Sequence, residues 1–302
     1  MPVNILLFFT VTLIWGSTWY AITFQLGAVD PSVSIGYRFL LAGSLLLAWQ
    51  MLRRQPVMPR PGGWKLILGS GILTFSINYL LVYQATMVLP SGLVAVAGSA
   101  LSLMNVLNAR LFLKQPLRPA VVIGGLMGFT GVLLLFTPEI DGGVLASGAL
   151  IGLGLMMASN YSASLGNIVV SKARRSGMPL IATTGWSMLA GAALMLAQAG
   201  LRGASFQVDP TPAYLLSLLY LALLGSIAAF LSYFYLLGRI GPDRAGYVAI
   251  MTPVVALVVS TLFEDYQWTL AGVLGLVMAL AGNLLVMAPV GWRPGWMRRQ
   301  TA

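Results

Sequence analysis

The chain has no cysteine and no histidine, and its 302 residues include only seven Asp and Glu against 17 Lys and Arg. Without cysteine there is no disulfide framework and no thiolate metal site, and the redox compartment cannot be read. Without histidine the commonest general base and metal ligand is gone. Charged residues make up 8% of the chain, where a soluble domain carries about 25%. The net charge of +10 does not signal nucleic acid, because the basic residues stand singly or in pairs between apolar runs. No Lys/Arg stripe interleaved with aromatics is present. A lipid-modifying enzyme would need a metal-binding carboxylate pair, or a His or Cys at the membrane surface, and the few acids are scattered. The expectation is therefore no enzyme, no cofactor, no metal and no nucleic-acid partner.

What the chain does have is apolar sequence, 58% of it, arranged in long runs and not in amphipathic stripes. Ten runs approach the roughly 20 residues that cross a bilayer. They lie near Ile5–Gln25, Pro31–Met51, Trp64–Ala85, Ser91–Leu113, Pro119–Thr137, Ala146–Ser171, Pro179–Gly200, Ala213–Gly238, Arg244–Phe263 and Trp268–Ala288. Backbone polar groups in hydrocarbon must bond internally, so runs of this length predict helices, and barrel-type alternation is absent. The first run follows Met1-Pro2-Val3-Asn4 with no basic n-region and no small-residue cleavage site, which predicts a retained span. With the amino terminus inside, the cytoplasmic segments hold Arg53, Arg54, Arg60, Lys65, Arg110, Lys114, Arg118, Lys172, Arg174, Arg175, Arg239, Arg244, Arg293, Arg298 and Arg299, fifteen of the 17 basic residues. The other side receives Arg202 together with Asp30, Glu139, Asp141, Asp209, Glu264 and Asp265, and the one cytoplasmic acid is Asp243. That bias predicts both termini in the cytoplasm.

The chain also repeats itself. Displaced by 151 residues, Leu111–Pro138 falls on Leu262–Pro289, and ten of its 28 positions match: Leu111, Phe112, Ala120, Val122, Gly124, Met127, Gly131, Leu133, Leu134 and Pro138. Upstream, Tyr83 and Pro90 answer to Tyr235 and Pro242 with one residue of slippage. The turn of the first copy is basic (Lys114, Arg118) and that of the second acidic (Glu264, Asp265), so the copies sit on opposite faces. Five spans per half demand the same inversion. The predicted fold is all-α and integral to the membrane: ten transmembrane helices in a five-plus-five inverted-topology repeat. The halves are residues 1–141 and 142–290, with a short basic tail at 291–302. Inverted halves are the mark of a secondary transporter. A receptor or assembly factor would be expected to carry a soluble domain or long loops, and the linkers here are short.

The chain resembles the drug/metabolite transporter superfamily, specifically its EamA-type members. The matching residues are Ile14-Trp15-Gly16, Tyr37-Arg38-Phe39-Leu40-Leu41-Ala42, Tyr83-Gln84-Ala85 ahead of Pro90, and the glycine patterns Gly124…Gly131-Val132 and Gly275…Gly282-Asn283. The family often has a Glu after spans four and nine. Glu264 occupies the second position, whereas Lys114-Gln115 replaces the first. The resemblance implies a bacterial inner-membrane carrier whose aromatic-rich spans look most like those of the family's amino-acid exporters, the aromatic type included. The alternatives within the superfamily are a multidrug carrier or one for sugar-phosphate or nucleotide-like metabolites. Phosphorylated substrates would call for two or more intramembrane Lys/Arg, and only Arg38 qualifies.

Transport needs a polar site at midplane that opens to each side in turn. The candidate substrate-binding residues are Trp15 in span one; Asn78, Tyr79 and Tyr83 in span three; Ser99 and Ser102 in span four; Asn160, Tyr161 and Ser164 in span six; Phe230 and Tyr233 in span eight; and Met251 in span nine. Each also has a packing role open to it, since tyrosine and serine hydroxyls often bond helix to helix. Polar stripes in equivalent spans of opposite halves are what a pseudo-twofold central site requires. Pro253 breaks a mid-span hydrogen bond and is read first as a helix kink. Arg38 either attracts a substrate carboxylate or ties span two to its neighbours; the resemblance favours the second role, since arginine stands here across different substrates. The glycines are expected in internal packing, with monomer and homodimer both open. No Asp or Glu lies deep in any span, which predicts no dedicated proton carboxylate and a neutral or zwitterionic small-molecule substrate. Glu264 or Asp265 at a span end is the fallback for coupling. Besides the substrate, the only expected partner is membrane lipid.

Overall fold

Each apolar run folds as a helix, because its backbone groups have only each other to bond with. The structure is a computed structural model describing residues 2–114, 119–141, 145–240 and 247–287, and these contain no strand. Gln115, Arg118, Pro242, Asp243, Arg244, Pro289 and the tail 291–302, all used in the readings above, lie outside the described residues. The helices are α1 (Pro2–Thr23), α2 (Pro31–Leu52), α3 (Trp64–Ile72, Leu73–Ile77 and Asn78–Thr86), α4 (Ser91–Gly98 and Leu101–Leu113) and α5 (Pro119–Asp141). The second half supplies α6 (Leu145–Arg175), α7 (Leu180–Leu201), α8 (Pro212–Leu219, Tyr220–Ala228 and Ala229–Ile240), α9 (Tyr247–Phe263) and α10 (Leu270–Met287). Seven spans are long and apolar enough to cross a membrane, and α9 and α10 are shorter apolar helices. The remaining one, α6, carries Ser159, Asn160, Ser162, Ser164 and Asn167 in its middle. Exposed leucines and phenylalanines such as Leu6, Phe9, Leu13, Leu126 and Leu216 give the outside of the bundle the apolar surface that lipid requires.

Packing repeats between the halves. α1 lies against α8 and α9, as α6 lies against α3 and α4; α2 packs on α8 as α7 packs on α3. The two self-related pairs, α2 with α7 and α5 with α10, make the largest contacts. In the α5–α10 pair the backbones touch through glycine. A Cβ on Gly124 would stand 2.5 Å from the Gly282 carbonyl oxygen, and one on Gly131 2.5 Å from that of Gly275. These glycines serve internal packing, as small residues do between membrane helices.

The backbone repeats too. Lys114 after α4 and Asp265 after α9, 151 positions apart, both hold positive φ (56° and 54°). Left-handed residues end helices by turning the chain out of them; here the same turn is built with opposite charge. At the end of the bundle where α1 begins, Arg239 donates to Asn4 (2.7 Å) and Arg60 to the Ser176 carbonyl (3.2 Å). At the opposite end Asp30 caps α2 by accepting from the Ser32 amide at 2.8 Å.

Candidate functional site: a cavity between the halves

Two local departures from α-helical geometry shape the centre. α3 and α8 each contain a π-helical stretch, Leu73–Ile77 and Tyr220–Ala228, at equivalent places in the two halves. In each, a serine hydroxyl donates to the carbonyl five residues back: Ser76 to Gly71 and Ser226 to Leu221, both at 2.9 Å. The wider turn changes which residues face inward and is often found at functional sites. Secondly, α4 is interrupted at Ser99–Ala100. Asn160 of α6 donates its amide to the Ala97 carbonyl at this break (2.8 Å), so one exposed acceptor is satisfied from the neighbouring helix.

Between these features lies a cavity of about 410 Å³ continuing into a deeper one of about 150 Å³. Trp15, Asn78, Tyr79, Leu101 and Ala163 line both. The larger space reaches the end where α6 turns into α7, with exposed Arg174 at its mouth. Its aromatic wall is Trp15, whose ring meets Phe230 edge-on at 5.4 Å and lies 5.2 Å from Tyr233. The Trp15 indole N–H donates to the Gly225 carbonyl at 3.3 Å. Opposite stand Asn105, Asn167, Thr183, Thr184 and Ser187. Among the described residues, no acid lines either space.

The other end of the bundle is shut. Ile22, Val82 and Met156, all but fully buried, bound the deep cavity. Beyond them Gln25 donates to the Ser217 hydroxyl (2.5 Å) and the Tyr214 carbonyl (3.0 Å). At the margin, Glu264 after α9 accepts from the backbone N–H of Ser91 (3.1 and 3.3 Å) and from its hydroxyl (2.5 Å). A carboxylate at the N-terminus of α4 sits where the helix dipole favours it. This bond joins the halves.

The structure brings seven of the fourteen sequence candidates to the cavity: Trp15, Asn78 and Tyr79 in both parts, Phe230 and Tyr233 in the larger, Arg38 and Asn160 in the deeper. Tyr83 is fully buried beside Arg38. Ser99 and Ser102 line a separate void of about 20 Å³ against α5 and α10, where Ser102 bonds to Asn283. Ser164 is buried and accepts from Asn108 at 2.8 Å. Tyr161 and Met251 face outward, 49% and 38% exposed. Pro253 is buried within α9 and denies the Ala249 carbonyl its helical donor, and Ala249 lines the larger cavity.

The sequence reading predicted the α7 span but placed no candidate on it, although Thr183 and Ser187, four apart on one face, line the larger cavity. It also missed Ser159, which donates to the Asn78 amide oxygen at 2.7 Å. The paired Ser-Ile steps at Ser76-Ile77 and Ser226-Ile227 were the one visible trace of the π turns.

The fold has a counterpart among solved structures, and the sequence has relatives among known proteins. A solved structure with 21% identity superposes with a TM-score of 0.69, covering 99% of both chains, which speaks to fold alone. An uncharacterized inner membrane transporter, YedA of Escherichia coli K12, is 30% identical over 296 residues, covering 93% of this chain and 94% of that protein. A probable amino-acid metabolite efflux pump of the same organism is 25% identical over 296 residues, covering 94% of each. The sequence pattern of the EamA-like transporter family matches twice, at residues 3–137 and 150–288, once on each half. This chain is a membrane transporter and belongs to the EamA-like transporter family.

Proposed function

We propose that the protein exports neutral or zwitterionic amino acids, aromatic ones among them, or similarly small metabolites, by alternating access through the central cavity. One observation carries this reading: an aromatic and polar cavity between the halves, open at one end and shut at the other. The open end is the one bearing Arg53, Arg54, Arg60, Lys65, Lys172, Arg174 and Arg175. By the positive-inside rule it faces the cytoplasm, with the amino terminus. The described state is then the inward-open one, ready to load from the cell. Rocking of the halves would break the Glu264–Ser91 and Gln25–Ser217 bonds and expose the same aromatic wall outside. A lining without acids among the described residues supports transport without a dedicated proton carboxylate. The name of one relative, an amino-acid metabolite efflux pump, points the same way.

Counterflow of labelled phenylalanine, threonine and methionine in proteoliposomes, with and without a pH gradient, tests the proposal. Accumulation of any of them, indifferent to the gradient, is the expected result. No accumulation of all three beside a working control carrier overturns the substrate assignment. Accumulation only with a gradient overturns the uncoupled mechanism.

A further inference from the structure

The geometry points to Arg38 as the anchor for a carboxylate group on the transported molecule; this deepens the amino-acid reading and rests on it for the identity of the rest of the ligand. Arg38 lies two turns into α2, is 2% exposed, and forms part of the wall of the deep cavity. Among the described residues its charge has no partner of opposite sign there, for none of the lining residues is Asp or Glu. Its Nε donates to the Ser226 hydroxyl at 3.2 Å, and that hydroxyl is itself fixed on the π turn of α8 through Leu221. The guanidinium carbon sits 4.7 Å from the centre of the Tyr79 ring and 5.1 Å from that of Phe39. One edge and the flanking rings therefore hold the group in place, while Nη1 is buried with no hydrogen-bond partner. The Tyr83 phenol lies within interaction distance of the guanidinium, but neither its hydroxyl nor Nη1 closes a hydrogen bond of good geometry.

A residue serving only to tie helices together would be expected to spend its donors on them. Here the donor left over belongs to a guanidinium walling a cavity, in a setting where an uncompensated charge is costly. The guanidinium fork matches a carboxylate in shape and charge. The surroundings suit the rest of an α-amino acid. Asn160 commits its amide nitrogen to the Ala97 carbonyl, and its amide oxygen would accept from an α-ammonium. The side chain would then extend toward Trp15, Phe230 and Tyr233 in the larger space. Molecules lacking an anionic group would meet the uncompensated positive charge and be rejected.

Thermal unfolding of the purified protein in detergent, read against matched ligand pairs, tests this. The pairs are phenylalanine and its amide, 3-phenylpropionate and 3-phenylpropionamide, and the carboxyl-free phenethylamine. The expectation is that carboxylates stabilise the wild-type protein at concentrations at least about tenfold lower than their amides, and that Arg38→Gln abolishes the preference while Arg38→Lys keeps part of it. The comparison among ligands uses wild-type protein, so it holds even if Arg38→Gln does not fold. If 3-phenylpropionate stabilises and phenylalanine does not, the anchor stands and the amino-acid assignment falls. If acid and amide act alike, or no carboxylate stabilises, the anchor is overturned. Equal counterflow of phenylalanine and its amide would overturn it too, leaving the amino-acid assignment in place.

Discussion

The bond between Glu264 and Ser91 closes the shut end of the bundle across the two halves, the outer end in the proposed orientation, so its removal should change which end is open. Its carboxylate accepts from one amide and one hydroxyl. A hydrogen bond to a charged group contributes about 1.5–3 kcal/mol, and the N-terminal helix dipole adds about 0.3–1 kcal/mol. Glu264 is partly exposed, and solvent screening reduces both contributions. The net loss for Glu264→Ala is then about 2 kcal/mol, which moves the equilibrium between outward-closed and outward-open forms by roughly 30-fold. The absence of cysteine makes the assay simple, since a single introduced thiol has no background. Val82→Cys reports on the outer seal, where Val82 is 3% exposed, and Thr183→Cys reports on the inner cavity. Glu264→Ala should speed labelling of the first by a membrane-impermeant reagent from outside and slow labelling of the second from inside. Ser91→Ala, which keeps the amide donor, should give a smaller shift in the same direction. Unchanged labelling at both thiols would refute the latch. Faster labelling at both would show instead that the substitution merely loosened the protein.

Two further outcomes follow from the packing. Gly282→Val places a branched side chain where even a Cβ on Gly124 opposite would meet backbone at 2.5 Å; it should destabilise the protein by about 1–3 kcal/mol or more, read as a lowered unfolding temperature in detergent, whereas Gly154→Ala, with open space around it, should leave the temperature unchanged. Trp15→Ala and Tyr233→Ala should lower counterflow several-fold by removing the aromatic wall, while Tyr161→Ala and Met251→Ala, which face outward, should transport like the wild type.

Much of the scaffold was legible because lipid imposes so simple a rule. Runs near twenty residues long must be helices, and the short linkers leave little choice of order. The repeat at Leu111–Pro138 was legible for a related reason: Gly124 and Gly131 meet Gly282 and Gly275 at a backbone contact no larger residue allows. The site was less so. Asn78, Tyr79, Phe230 and Tyr233 were identified as polar and aromatic residues in mid-span, and they meet at the cavity. Tyr161 and Ser164 looked the same in sequence, but helical phase turns Tyr161 outward and Ser164 into a contact with Asn108. A π turn shifts that phase by one residue without leaving a propensity signal, and neither it nor the break at Ser99–Ala100 could be read from composition.

The π turns also explain how a symmetric scaffold yields an asymmetric site. Ser76 and Ser226 occupy equivalent turns and each donates to the carbonyl five residues back. In the first half the serine reaches on to the Gly191 carbonyl of α7 at 3.3 Å, a backbone contact that ties α3 to its neighbour. In the second half the equivalent hydroxyl instead accepts from Arg38 of α2. Duplication thus supplied two copies of the same anchor point, one holding backbone and the other holding the only basic side chain among the described residues of the cavity's deep part. The proposed rocking needs the symmetry, because each half would have to seal in turn against the other. Recognition needs the asymmetry, because a single carboxylate has use for one guanidinium, and a second would leave an unpaired charge buried in the seal.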